Sequence, residues 1–297
     1  MKPEVFAKIV AARAWHRRAL AALPNVLGTA IGYKRRDGVK TRKSALIVYV
    51  GKKSPKKSLG AEALIPASIY FDRRKIATDV FTLGKLEYQF GPSPWYCRDR
   101  KDNQGTVTSL CLKRSSREPL ALTCAHCIEG DDHNPSTPSV ITLWDSLQEE
   151  YLSIGVSGEF VNSNGSDRVG FSDWGVFSIN DQELADRAMQ AKPMPIGAKT
   201  LGTAVQATTS HGVIYGSIEH LDIQFPNLVA DLAIIINDHE FVFPGDSGLL
   251  WRDMKGGAVA IHAIGESWRG GSPISYCMFA ERISRELTSA GIDMLDV

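Results

Sequence analysis

Beyond Trp95 the chain is divided into short apolar runs at close spacing: TVTSLCL (106–112), LALTCA (120–125), VITLWD (140–145), WGVFSI (174–179), GVIYGSI (212–218), LVADLAIII (228–236), SGLLW (247–251), AVAIHAI (258–264) and ISYCMFA (274–280). Loops rich in Gly, Ser, Asn and Asp separate them. Runs of this length between turn signals read as strands, and so many in succession argue for an all-β sandwich or barrel. One helix, ERISRELTSAG (281–291), is expected at the end, with Gly291 past its last turn. A chain of 297 residues can hold one large core or two smaller ones.

The first third reads differently. Val5, Phe6, Ile9, Val10, Ala14 and Leu20 recur at helical spacing, and Pro24 would stop that helix. GTAIGYK (28–34) and SALIVYVGKK (44–53) flank a segment whose Asp37-Gly38 predicts a hairpin turn. IYFDRRKIATDVFTLG (69–84) reads as a second strand pair. Gly91, Pro92 and Pro94 mark a boundary, so residues 1–90 form a small α+β module and 91–297 a separate β domain.

Charge follows that division. Residues 1–60 hold 15 Lys and Arg against 2 Asp and Glu, and the rest of the chain 19 against 31. Such a split can serve nucleic acid, an acidic membrane face, a protein regulator, or an acidic surface of the same chain. The lysines lack interleaved aromatic residues for stacking bases, which disfavours nucleic acid.

The N-terminal helix is broken by Lys8, Arg13, Arg17 and Arg18 and lacks the apolar centre of a secretory signal. No apolar run is long enough to span a bilayer. A cytoplasmic protein is therefore expected, with its five cysteines (Cys97, Cys111, Cys124, Cys127 and Cys277) as free thiols. Cys124-x-His126-Cys127 lacks the paired loops of a zinc site, and neither metal nor cofactor is expected.

Gly245-Asp246-Ser247-Gly248 interrupts an apolar run at 241–250. Glycines weaken a strand, and a dry carboxylate needs a partner, so this tetrapeptide points to chemistry. A serine hydroxyl needs a base to act as a nucleophile at neutral pH. His126 ends the strand LALTCA, and Asp173 precedes an apolar strand from which it could orient an imidazole.

In the order His126, Asp173, Ser247 the sequence resembles the chymotrypsin/trypsin-like serine peptidases. LTCAHC is similar to their Ala-Ala-His-Cys box and PGDSG to their nucleophile box. TTSHGVIYGSI (208–218) looks like the opening hairpin of the second barrel in bacterial members. The basic N-terminal module resembles, more loosely, a part that precedes such domains in bacterial proteins and in plant narrow-leaf-type proteins.

The resemblance covers residues 97–297. It implies a mainly β, chymotrypsin-like double β-barrel, with a first barrel over about 97–195, a second over about 196–280 and a C-terminal helix at 281–291. It implies a serine endopeptidase acting on polypeptides, with His126, Asp173 and Ser247 catalytic and the Gly245 and Ser247 amides as oxyanion hole. A non-catalytic or conditionally active interaction protein on the same fold is the alternative. Asp246 would need a donor or cation other than a new N-terminus, and no activating cleavage is expected.

The resemblance also bears on specificity and on the thiols. The pocket-floor position six residues before Ser247 is Phe241, which does not suit Lys or Arg. His262, fifteen residues after Ser247, matches an imidazole that faces acidic side chains in glutamyl endopeptidases, or it ends a core strand. Ala263 and Gly265 would offer backbone groups to an extended substrate. Leu249 replaces the family's second glycine. Cys111 and Cys127 have the spacing of the family's disulfide beside the catalytic histidine; adjacent thiols are the expected state here.

Overall fold

The computed structural model describes residues 1–55, 59–60, 63–84, 86–88, 96–98, 104–128, 140–145, 150–163, 172–209, 211–226, 228–266 and 272–296. The expected boundary at 91–95 lies outside them.

The chain opens with α1 (Pro3–Ala21), β1 (Val26–Arg36), β2 (Val39–Val50), β3 (Ser68–Phe71), β4 (Arg74–Thr82) and β5 (Leu86–Tyr88). Next come β6 (Tyr96–Arg98), β7 (Gln104–Thr106), β8 (Ser109–Lys113), β9 (Pro119–Thr123), β10 (Val140–Asp145), β11 (Glu150–Ser163), β12 (Ser172–Ser178), α2 (Gln182–Gln190) and β13 (Lys192–Pro193). The last stretch holds β14 (Ala204–Thr209), β15 (Gly212–Gln224), β16 (Val229–Ile236), β17 (Leu250–Asp253), β18 (Ala258–Glu266), β19 (Ile274–Phe279), α3 (Ala280–Ser289) and β20 (Ile292–Asp296).

The fold is mainly β. Strands β14-β17-β18-β19-β16-β15 close on themselves through the β14–β15 pairing, making a six-stranded barrel without free edges. The other half is a nine-stranded sheet in the order β13-β20-β8-β9-β12-β11-β10-β6-β7. After α3, the chain returns to that sheet through β20, which pairs with β8.

Residues 1–82 do not stand apart from the barrel. β1 pairs antiparallel with β15, placing Gly32 opposite His220, so β1, β2, β4 and β3 continue the barrel sheet outward. This accounts for the unbroken apolar run Ala45–Val50, every residue of which is buried. Leu46 and Val48 pack with Ile9, Ala12 and Leu20 of α1, while Ala45, Ile47 and Tyr49 enter the main core. A strand covered on both faces loses the polar alternation of a half-exposed one. Each such Leu or Ile contributes roughly 1.5–3 kcal/mol.

The basic excess meets acidic groups of the same chain. Arg13 pairs with Asp222 at 2.5 Å, and Lys40 and Arg35 pair with Glu219 at 2.6 and 3.9 Å. Between these pairs Tyr49 Oη lies 2.6 Å from His220 Nδ1. Burial, with Arg35 and Lys40 nearby, pushes the His220 pKa down to about 3 and keeps the ring neutral.

The predicted hairpin turn has the left-handed residues that tight turns need, Asp37 and Gly38 at φ 53° and 80°, and the second strand pair turns in the same way through Asp72 and Arg73 at 47° and 57°. Several strand limits differ from expectation, and two of them bear on the site. The run from 106 breaks after Thr106 and resumes at Ser109. The strand expected from Ser247 begins only at Leu250, because residues 245–249 are held in a turn by their own hydrogen bonds. Among the described residues no helix is long and apolar enough to cross a membrane.

Candidate active site

His126 sits on a single 3-10 turn, Ala125–Cys127, at the end of β9. β9 pairs with β12, with Thr123 opposite Gly175, which brings Asp173 alongside the turn. The Asp173 carboxylate uses both oxygens on one residue. Oδ1 accepts the His126 backbone N–H at 3.0 Å, and Oδ2 lies 2.5 Å from His126 Nδ1. Asp173 is fully buried. A carboxylate held this way fixes the ring orientation and places the imidazole proton on Nδ1, leaving Nε2 as the basic nitrogen.

The opposite face of β12 is clamped by α3. Ser172 Oγ and Trp174 Nε1 both donate to Glu286, at 2.9 and 2.7 Å. Alternate strand residues point to opposite sides, so these two neighbours anchor the strand from behind the site. Arg282 bonds Glu286 and Asp231 in turn. Trp174 is therefore a buried member of this clamp.

The turn that carries Ser247 is built from its own backbone. The Asp246 carboxylate accepts the Phe243 N–H at 2.7 Å, Asp246 N donates to Phe243 O, and Leu249 N donates to Asp246 O. Gly245 and Gly248 bracket Ser247 at φ 102° and 98°, conformations that favour glycine. Asp246 thus finds a donor, an amide three residues back. Burial raises its pKa to about 7.

Both halves of the fold grip this turn. On one side Gly248 N donates to His262 O at 2.8 Å, and His262 N to Leu249 O at 2.9 Å. On the other, Thr106 N donates to Ser247 O at 2.7 Å, Thr106 Oγ1 to Gly245 O at 2.9 Å, and Thr108 Oγ1 to Gly248 O at 2.7 Å. Thr123 Oγ1, three residues before His126, holds Thr106 O at 2.8 Å. Gly105 fits between the two catalytic candidates' neighbourhoods: a Cβ there would strike Cys127 Sγ and come within 3.0 Å of Ser247 O.

The structure thus joins His126 to Asp173 directly and fastens Ser247 to the strands beside them. The Ser247 hydroxyl itself donates to Ala263 O at 3.0 Å. That bond must be released before the proton can pass to an imidazole.

Of the expected substrate positions, His262, Ala263 and Gly265 lie in a row on β18. His262 is fully buried, with Nδ1 2.8 Å from Ser275 Oγ, which also accepts from Trp251 Nε1. Burial, and secondarily the proximity of His126, lowers the His262 pKa to about 3, so the ring is neutral. Its Nε2 is buried without a hydrogen-bond partner among the described residues. Phe241 is half-buried in the segment before the turn that carries Ser247, its ring edge-on to Phe243 at 6.3 Å.

All five cysteines are buried, and burial raises the thiol pKa of Cys111, Cys124 and Cys277. Donor atoms of Cys124, His126 and Asp173 lie within 4.8 Å of one another. Two of them serve the His126–Asp173 pair, and Cys124 Sγ donates to His262 O at 3.3 Å. Sequence reasoning missed Gly105, Thr106, Thr108, Thr123, Ser275 and Glu286. Only the bunched threonines at 106, 108 and 123 gave any signal.

Residues 3–79 match the NARROW LEAF 1 N-terminal domain. No curated protein matches the chain. Similar solved structures include a glutamic acid-specific serine protease described as using a novel histidine triad in substrate binding, 13% identical with a TM-score of 0.43, covering 67% of this chain and 97% of that one. Another is an inactive form of Rv3671c from M. tuberculosis, 13% identical with a TM-score of 0.41, covering 66% and 85%. A third is the HtrA-type protease AlgW with a decapeptide, 14% identical with a TM-score of 0.40, covering 92% and 66%.

Proposed function

We propose that the chain is a serine endopeptidase whose catalytic residues are Ser247, His126 and Asp173. The observation that carries this reading is the two-point bond between Asp173 and His126, at 3.0 and 2.5 Å. A purely structural carboxylate would not need to fix an imidazole tautomer at the end of a strand that is tied, through Thr123 and Thr106, to a serine held between two left-handed glycines.

In this reading Ser247 Oγ attacks the substrate carbonyl carbon and its proton moves to His126 Nε2. The carbonyl oxygen gains the negative charge, and the amides of Gly245 and Ser247 stabilise it; losing one such donor costs on the order of 3 kcal/mol. The intermediate collapses to an ester on Ser247 as the departing amine takes the proton from His126. Water, deprotonated by the same imidazole, then hydrolyses the ester. Asp173 stabilises the imidazolium through its bond to Nδ1.

A fluorophosphonate probe tests the assignment. The chain is expected to label at one site and Ser247→Ala not at all. Equal labelling of both, or none in any state of the chain, would favour a non-catalytic interaction protein on the same fold.

A preference for an acidic side chain before the cleaved bond is a second element, favoured by His262 Nε2, which is buried without a partner among the described residues. Ser275 Oγ accepts from Trp251 and lies between His262 Nδ1 and Cys277 Sγ; in the arrangement where its hydrogen goes to Nδ1, His262 carries its donor N–H at Nε2. A neutral donor suits a carboxylate or carboxamide acceptor. A peptide library is expected to show acidic residues enriched before the cut, and a profile without that enrichment removes the role for His262.

Regulation through the N-terminal module is also a proposal. The contacts of Arg13, Arg35 and Lys40 with Asp222 and Glu219 show part of the module's basic charge serving cohesion of the chain.

A further inference from the structure

One edge of β18 belongs to β19, which pairs along it from Ala260 to Gly265. The other edge is filled in four steps by the chain itself. β17 pairs from Ala258 to Ile261. Leu249 and Gly248 then bond the backbone of His262. Ser247 Oγ bonds Ala263 O. Beyond that point β5 takes over antiparallel, with Tyr88 opposite Ile264, Glu87 opposite Gly265 and Leu86 opposite Glu266.

β5 therefore begins its pairing one residue past the carbonyl that holds the Ser247 hydroxyl. An extended peptide adding a strand to β18, so as to bring a carbonyl to Ser247, would need this same stretch of edge. We infer that residues 86–88 are an internal stand-in for the peptide, occupying the strand-addition site and keeping polypeptides from Ser247 until they withdraw.

Two further observations support the assignment. The base of the strap is fixed: Leu83 N donates to Val50 O at 2.9 Å, and Gly84 N donates to the Glu266 carboxylate. A Cβ at Gly84 would come within 3.2 Å of Glu266 Oε2, so the strap crosses the end of β18 closely. The blocking strand itself, Leu86–Tyr88, has only three residues. Its few ladder bonds allow exchange with a competing strand while the root stays in place. The Ser247–Ala263 bond fits the same resting state, because the hydroxyl hydrogen is directed at the strand.

The inference rests on the hydrolase reading only for what the strand blocks, and the test separates the two. In a Ser247→Ala background, Glu87→Pro with Tyr88→Pro removes whichever of the two consecutive amides faces β18, since alternate residues present their amides to opposite edges. A fluorescein-labelled peptide with the sequence of residues 84–90 is expected to bind this chain at least tenfold more tightly than its parent, read by anisotropy. Equal affinities overturn the inference.

With Ser247 restored, the proline pair should raise the rate of fluorophosphonate labelling tenfold or more. Tighter peptide binding without labelling in either chain removes the hydrolase and leaves the strand assignment standing. Equal labelling with equal affinities does the reverse. Hydrogen exchange on the unsubstituted chain gives an independent measure: saturating peptide should release the amides of 86–88 while 264–266 stay protected. Unchanged protection at 86–88 overturns the inference.

Discussion

Asp173→Asn is expected to lower kcat by about four orders of magnitude while leaving the fold intact. Both carboxylate oxygens are acceptors in the structure, one for the His126 amide and one for Nδ1–H. An asparagine has one acceptor oxygen and one NH2 group. With its oxygen on the backbone amide, the NH2 faces Nδ1 and moves the ring proton to Nε2, the nitrogen that receives the Ser247 proton in the proposed reaction. With the group reversed, NH2 confronts the backbone N–H and the amide loses its acceptor. Side-chain volume hardly changes, so thermal unfolding should stay close to that of the parent. Steady-state kinetics on a cleavable peptide checks the expectation: KM should change little, and a fall in kcat of less than tenfold would mean that Asp173 does not orient the base.

Gly248→Ala should act on both stability and activity. At φ 98° any side chain is strained, and a Cβ at this position would overlap Thr106 O and lie within 2.9 Å of Thr123 Oγ1. Neither obstacle is a flexible side-chain end; one is backbone and the other is held by its bond to that backbone. The expected cost is about 3–5 kcal/mol, the range of strain combined with a clash. Relief would require the nucleophile turn to lift from Thr106 and Thr108, parting Ser247 from the half of the fold that carries His126, so labelling should disappear. Gly256→Ala is the control, with φ 88° and nothing within 4 Å of the added Cβ. There the cost should be only about 1–2 kcal/mol. Chemical denaturation of the two variants separates clash from strain, and equal losses would show that the turn yields freely.

Local signals in the sequence carried much of this architecture. Apolar runs bounded by turn residues located most of the later strands, and VITLWD matches β10 at both ends. Asp37-Gly38 identified its hairpin because few residues tolerate the turn it makes. The turn at 245–248 was legible for a similar reason: two glycines flanking a polar pair in a buried run have no packing rationale; His126 and Asp173 stood out only through the resemblance to serine peptidases.

Nonlocal pairings were not legible. Nothing in residues 26–36 says that β1 will pair with β15 roughly two hundred positions later, or that 86–88 will lie on β18. Strand partners are chosen by edges, and one sequence does not display its edges. α2 was overlooked although Asp181 caps it by accepting the Leu184 amide, because its helical face is short and mostly polar. For Asp246 the need for a partner was legible. Its identity was not, since a backbone amide leaves no mark in composition.

The attachment of β1 to β15 has a practical consequence for anyone handling this molecule in pieces. Cutting away the first eighty or so residues would bare a row of unsatisfied amides and carbonyls along the barrel's flank, together with the ring of Phe225 and the unmatched carboxylates of Glu219 and Asp222. Raw edges of this kind recruit neighbouring chains and lead to clumping. The amino-terminal third is therefore better regarded as part of the barrel's wall than as a detachable appendage.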